Sequence, residues 1–278
     1  MLNTINMEEI LEVTLKAGQK ILDIYSNKEI IVNYKIDNSP VTIADKEAGN
    51  IIKDFLGNSY PSIPIVSEEE RLTKFEIRKN WKCFWLIDPL DGTKEFLQKK
   101  EHFTVNVALI YEGSPIMGII YAPAMRKLYF ASSILGSYKL ENISEQKLPN
   151  NYLSKAVSLP CETKNPYLRI ITSYSHITSE TKDYISKLKD RYGEINIESI
   201  GSSLKFCYLA EGSADIYPRL SPTMEWDIGA GQAILECAGG KILDYSGGIL
   251  KYNKKSLKNM HFIACSCHSK QMLFRHNN

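Results

Sequence analysis

Asp88-Pro89-Leu90-Asp91-Gly92-Thr93 places two carboxylates, a backbone carbonyl, a flexible glycine and a hydroxyl within six residues, directly after the apolar run Phe84-Trp85-Leu86-Ile87. Hard divalent cations take oxygen ligands of these kinds. Phosphate oxygens take cations and free backbone N–H groups. A loop that offers both points to metal-assisted chemistry on a phosphate ester. Further acids stand where regular elements end or begin: Asp45 early in a helix, Glu68 and Glu69 after a short strand, and Asp227 at a helix start in Glu225-Trp226-Asp227. Loops at element ends are where sites assemble. Brought together, these acids would repel one another unless cations neutralised them.

The elements that must position them are legible from periodicity. Residues 7–26 carry apolar side chains at helical spacing, and a second stripe follows an N-cap at Thr42. Asn38-Ser39-Pro40 reads as a turn between them. Strands are expected at 63–66, 82–87 and 103–109, the last with alternating apolar positions. Residues 116–121 and 127–131 complete an antiparallel meander. Residues 137–166 lose this regularity, and a boundary is placed there, giving halves 1–150 and 151–278. The second half alternates strand and helix: strands near 168–172, 195–199, 214–217 and 241–243, and helices near 178–190, 202–211 and 226–238. The expected class is α/β, an α+β N-terminal half followed by an α/β C-terminal half.

Composition excludes several classes. The 278 residues are 44% hydrophobic and 24% charged, with a formal net charge of +2. That balance lacks the basic excess of a nucleic-acid binder. No apolar run approaches the roughly 18 residues of a membrane span, and no signal peptide is apparent. The six cysteines, among them the C-x-C pair Cys265 and Cys267, lack zinc spacing and read as free thiols of a cytoplasmic protein. An EF-hand fails on register, with Gln98 where the closing Glu belongs. A P-loop is absent. Haloacid-dehalogenase phosphatases carry D-x-D-G-T, but here one more residue separates the aspartates. In an extended segment that reverses side-chain direction, so the pair is expected not to face one phosphorus in that way. His102, His261, His268 and His276 read as structural or exposed. Trp226 reads as a core anchor, and the lysines from 251 to 258 as a solvated loop.

Glu68-Glu69, Asp88 to Thr93 and Trp226-Asp227-Ile228-Gly229-Ala230-Gly231, followed by Ala238-Gly239-Gly240, resemble the three signatures of the inositol monophosphatase superfamily, in order and over nearly the whole chain. The stretches 37–45, 85–96, Phe103-Thr104-Val105-Asn106 and Gly201 to Cys207 resemble its CysQ-type 3′(2′),5′-bisphosphate nucleotidase subgroup. The resemblance implies a layered αβαβα sandwich of the inositol monophosphatase and fructose bisphosphatase type. It also implies a lithium-sensitive phosphatase holding two or three Mg²⁺. The implied substrate is 3′-phosphoadenosine 5′-phosphate, a by-product of sulfate activation, cleaved to AMP and phosphate.

By the same resemblance, Glu68, Asp88, Asp91 and Asp227, with the carbonyl of Leu90, hold the metals. Glu68 is taken over Glu69 on the family pattern. Asp45 and Thr93 orient and deprotonate the attacking water, and the amides of Gly92 and Thr93 hold phosphate. Attack is in line, with no phosphoenzyme. Ser173, His176, Gly201 and Lys205 contact the nucleotide, alongside the metal-binding set. Where relatives often carry Ser-Arg-Ser-His, this chain has Ser173-Tyr174-Ser175-His176. An inositol monophosphate is the alternative substrate, and a non-catalytic nucleotide sensor the alternative of another class. The partner is a small nucleotide and not a nucleic-acid polymer. Monomer and homodimer both stay open, as does peripheral contact at the inner face of the cell membrane through the 251–258 lysines.

Overall fold

The computed structural model describes residues 4–27, 32–34, 40–143, 147–161, 165–174 and 177–269. Helix α1 (Met7–Tyr25) starts where the Asn6 side chain accepts from Glu8 N at 3.1 Å, and it buries the stripe Ile10, Leu11, Thr14, Leu15 and Ile21. A two-stranded ribbon, β1 (Val32–Tyr34) and β2 (Pro40–Thr42), leads into α2 (Ile43–Ser59). There follow β3 (Ile65–Ser67), the short helix α3 (Phe75–Arg78), β4 (Cys83–Asp91) and α4 (Thr93–Leu97). The meander consists of β5 (Thr104–Tyr111), β6 (Ser114–Ala122), β7 (Lys127–Ser132) and β8 (Gly136–Leu140); after α5 (Tyr152–Lys155), β9 (Val157–Ser158) closes it. These strands form one seven-stranded sheet in the order β3-β4-β5-β6-β7-β8-β9, parallel at β3–β4 and antiparallel elsewhere.

The later elements are β10 (Leu168–Ser173), α6 (Ser179–Tyr192), β11 (Ile195–Ile200), α7 (Leu204–Glu211), β12 (Ile216–Arg219), β13 (Thr223–Met224), α8 (Glu225–Cys237), β14 (Lys241–Asp244), β15 (Lys258–Asn259) and β16 (Phe262–Cys265). A mixed five-stranded sheet runs β11-β10-β12-β16-β14, and β13 pairs with β15.

Side-chain alternation sets the layers. In β5, Val105, Val107 and Leu109 join α1 and α2 in one apolar cluster, while Ala108 and Ile110 join a second with α7 and α8. The second sheet repeats this: Phe262 and Ala264 face α7 and α8, and Ile263 and Cys265 face α6 with Tyr184 and Leu188. The layer order is therefore α1/α2, seven strands, α7/α8, five strands, α6, an αβαβα sandwich. Strands buried on both faces read as continuous apolar runs. Helix α8 lies directly on β6, where a Cβ on Gly118 would stand 2.3 Å from the Ala230 carbonyl oxygen.

Two expectations need correction. The region read as irregular contributes β8 and β9 to the large sheet, because short strands interrupted by polar residues give little periodic signal. Strand β16, the partner of both β12 and β14, was not expected at all; its Phe-Ile-Ala-Cys run drew notice only for its cysteine. The turn at 38–40 and the first three positions of the 37–45 stretch fall largely outside the described residues. Among the described residues, no helix is long and apolar enough to cross a membrane.

Candidate active site

Strand β4 decides the geometry. Asp88 pairs with Asn106 and Asp91 with Thr104, so three steps along β4 match two along β5. The added residue is absorbed as a bulge at Pro89-Leu90. Asn106 and Thr104 point to one face of the sheet, and both aspartates point there with them. The alternation argument against a shared target for the two carboxylates therefore fails here, because the segment is bulged rather than regularly extended. The Leu90 amide donates to Asp88 Oδ1 at 3.1 Å, holding the bulge. Gly92 follows at φ +90°, and a Cβ there would meet the His102 carbonyl oxygen at 2.9 Å. Only glycine makes that turn without strain.

Two helix starts bring the remaining acids. Asp45 Oδ2 accepts from both the Thr42 amide and the Thr42 hydroxyl, each at 2.7 Å. Its other oxygen stands 3.3 Å from Thr93 Oγ1, which also lies 3.1 Å from the Leu90 carbonyl oxygen. Asp227 repeats the device in α8, where Oδ2 accepts from Met224 N at 2.8 Å. In each case one carboxylate oxygen closes the first helical turn and the other is directed elsewhere. Glu68 follows β3, its amide bonded to the Ile87 carbonyl at 3.2 Å.

Glu68, Asp88 and Asp227 each offer an oxygen such that the set lies within 4.8 Å of one another. All are hard oxygen donors, the chemistry that fits a divalent cation such as Mg²⁺. Electrostatics agree. Burial, reinforced by Glu68, Asp91 and Asp227, holds Asp88 well above the usual carboxylate range. Burial with Asp91 and Glu68 does the same to Asp227. Asp91 is pushed up to about 6, chiefly by burial and against the pull of Lys205. Asp45 also rises to about 6 through burial, against its Thr42 hydrogen bonds. Clustered buried carboxylates need protons or metal to coexist.

The cleft carries cations as well as acids. The cavity, about 290 Å³, is bordered by the acids and by Ser173, Lys205 and Arg219. Lys205 is buried, its ammonium donating to the Ile200 carbonyl at 3.2 Å and to the Ser202 carbonyl. Burial lowers its pKa to about 8, against the opposing pull of Asp91. Arg219 is 9% exposed, and its Nε has no hydrogen-bond partner. It was missed in the sequence; its signal is a cation in an otherwise apolar strand, Ile216-Tyr217-Pro218-Arg219. Asn106 and Ser203 were read only as parts of resembling stretches. They form a buried web: Thr104 Oγ1 to Ser203 Oγ at 2.9 Å, Ser203 Oγ to Asn106 Oδ1 at 2.7 Å, and Asn106 Nδ2 to Asp91 Oδ2 at 3.5 Å. A buried asparagine in a run as apolar as β5 was the available clue.

Of the expected residues, Glu68, Asp88, Leu90, Asp91, Gly92, Thr93, Ser173, Lys205 and Asp227 border this one cavity, and Asp45 reaches it through Thr93. Gly201 does not border the cavity; it packs against the His102 carbonyl and Glu95. His176 lies outside the described residues. Glu69 borders a separate recess beside Lys46 and Asn50, while its charge still acts on Asp45. Trp226 is buried in the core, and all six cysteines are free. The lysines from 251 to 258 are not simply a solvated loop, since Lys254 Nζ bonds buried Glu225 at 2.6 Å.

The sequence pattern of the Inositol monophosphatase family matches residues 6–276. The chain is 43% identical over 251 residues to the 3′(2′),5′-bisphosphate nucleotidase CysQ of Buchnera aphidicola, covering 90% of this chain and 88% of that protein. It is 40% identical over 250 residues to the protein of the same name from Shigella flexneri, covering 90% and 94%. Among solved structures, CysQ from Bacteroides thetaiotaomicron, a bacterial member of that family, superposes with a TM-score of 0.84 at 38% identity over 94% of this chain and 98% of that one. The extragenic suppressor protein suhB from Bartonella henselae gives 0.75 at 26% identity, over 97% and 96%.

Proposed function

The chain belongs to the inositol monophosphatase family, and from that membership we propose that it is a Mg²⁺-dependent 3′(2′),5′-bisphosphate nucleotidase, which hydrolyses the 3′-phosphate of 3′-phosphoadenosine 5′-phosphate to give AMP and phosphate. The observation that carries the reading is one cleft that gathers both signs of charge: converged Glu68, Asp88 and Asp227, with Lys205 and Arg219 on the same lining. A substrate with two phosphates fits such a cleft. The ester to be cleaved is placed at the converged acids and the second phosphate at the cations. Arginine is suited to bind that phosphate through its fork of donors.

Glu68, Asp88, Asp91, Asp227 and the Leu90 carbonyl would hold two or three Mg²⁺, which supply charge neutralisation and acidify water. The chain's own groups do the rest. The Thr93 hydroxyl, beside Asp45 Oδ1, orients the attacking water and passes its proton toward the Asp45 carboxylate. Thr42 fixes the other oxygen of Asp45, so the carboxylate cannot rotate away. Gly92 and Thr93, at the start of α4, present amides to the phosphate. Asn106 and Ser203 hold Asp91 in place from behind. The water oxygen forms the new P–O bond as the 3′ oxygen departs.

Steady-state rates with 3′-phosphoadenosine 5′-phosphate, inositol 1-phosphate and fructose 1,6-bisphosphate, each at saturating Mg²⁺, test this reading. A clear kcat/KM preference for the nucleotide is expected. Preference for the inositol ester would move the substrate assignment, and tight nucleotide binding without phosphate release would replace the enzyme with a sensor.

A further inference from the structure

Glu225 is fully buried, at the first position of α8 and two residues before Asp227. Its carboxylate is saturated from one segment. Oε2 accepts from Asn253 N at 2.7 Å, and Oε1 accepts from Lys254 N at 3.2 Å and from Lys254 Nζ at 2.6 Å. The same ammonium donates to the Lys251 carbonyl at 2.7 Å and to Asn259 Oδ1 at 2.8 Å. The backbone joins in: Glu225 N donates to the Leu257 carbonyl at 2.9 Å, and β13 pairs with β15.

The segment is fixed on its other side by Arg78, 3% exposed, on α3 in the connection between β3 and β4. Its Nη1 donates to Asn253 Oδ1 and its Nη2 to the Lys255 carbonyl, both at 2.8 Å, and Asn253 Nδ2 donates back to the Arg78 carbonyl at 2.6 Å. One continuous polar path therefore runs from the connection between the strands that lead to Glu68 and Asp88, across residues 251–259, to the helix turn that carries Asp227.

We propose that Arg78, Asn253, Lys254 and Glu225 form a clamp that sets the position of Asp227 against Glu68 and Asp88, making Glu225 a positioning residue for the metal site. The inference rests on the metal-binding reading above. Mg²⁺ demands near-ideal octahedral geometry, so a small shift of one carboxylate costs affinity. Buried ion pairs add little net stability over well-packed apolar groups; what this one contributes is placement. Comparable pairing occurs far from the cleft, where Glu211 accepts from Tyr129 Oη at 2.7 Å and from Lys139 Nζ at 3.3 Å. That pair supplies the control.

The experiment is calorimetric titration of Mg²⁺ into the full chain, with thermal unfolding measured in parallel. Glu225→Gln and Lys254→Met are expected to weaken Mg²⁺ binding by about tenfold or more, and Lys254→Arg to recover most of it. Glu211→Gln is expected to lower Tm with Mg²⁺ affinity unchanged. The Lys254 side chain is 33% exposed, so its variants carry the test if Glu225→Gln does not fold. Unchanged Mg²⁺ affinity in the folded clamp variants, or an equal loss in Glu211→Gln, overturns the clamp. No Mg²⁺ binding by the wild-type chain overturns the metal reading, and the clamp with it.

Discussion

Buried acids are handled differently in two regions of this molecule. Outside the cleft, each has a cation at bonding distance: Asp215 with Arg169 at 2.9 Å, Glu211 with Lys139 at 3.3 Å, Glu225 with Lys254 at 2.6 Å. Inside it, the neighbours that act most strongly on Asp88 are Glu68, Asp91 and Asp227. The first arrangement is complete within the polypeptide. The second concentrates like charge at a desolvated spot, which a chain optimised for stability alone would avoid. The difference separates acids that hold the scaffold in place, Glu225 among them, from acids that meet the metals themselves.

The strongest way to break that contrast is to remove an acid from the cleft. Asp91→Asn should lower turnover of 3′-phosphoadenosine 5′-phosphate on the order of 10³-fold, the worth of several kcal/mol of transition-state charge stabilisation. Its Tm without metal should change little, since the repulsion from Glu95 and Glu68 is lost together with the attraction of Lys205. A variant that unfolds while the enzyme's rate per folded molecule stays normal would put Asp91 among the fold-holding acids. Thr93→Val should cost about 10²-fold in kcat, within the range for a proton-handling group, with little change in Mg²⁺ affinity.

Stability experiments sharpen the other half. Gly118→Val forces a side chain into the contact between α8 and β6 and should destabilise by about 3 kcal/mol in denaturant unfolding. Tm changes with pH should be smaller. An acid whose pKa is higher folded than unfolded binds more protons in the fold. Asp45 and Asp91, raised from 3.8 to about 6, therefore make the metal-free protein lose stability as pH rises between those values. Deprotonation is also what a metal requires, so the rise in Tm on adding Mg²⁺ should be greater at pH 8 than at pH 5. An equal rise at both would show that those carboxyls do not titrate with binding. Smallest of all, Arg219→Ala should raise KM for a bisphosphate about tenfold, near the worth of one charge-assisted hydrogen bond, while leaving KM for a phosphate monoester close to normal.

Much of this was legible in the sequence. Helices α1 and α2 announced themselves through apolar spacing, and α2 also through its cap at Thr42. The acids at element ends could be named one by one. What escaped depends on pairings between distant segments. Strand β16 is four residues long and gains its identity only between β12 and β14. Arg219 looks like any strand cation until β12 is placed beside the cleft. Lys254 belongs to a lysine-rich stretch whose composition describes solvent exposure, and its buried partner lies 29 positions away. The bulge was misread because alternation assumes a regular strand. Local pattern reports local structure; a pocket is assembled from contacts that leave no local trace.

The kink at Pro89-Leu90 makes the number of residues in the motif as informative as their identity. Run as a regular strand, the same six residues would send Asp91 to the far side of its sheet, where the surroundings are greasy and aromatic, even though every letter of the signature would be unchanged. A short signature can therefore be intact as text and void as machinery, and the spacing between its two aspartates is itself an inherited part of the reagent.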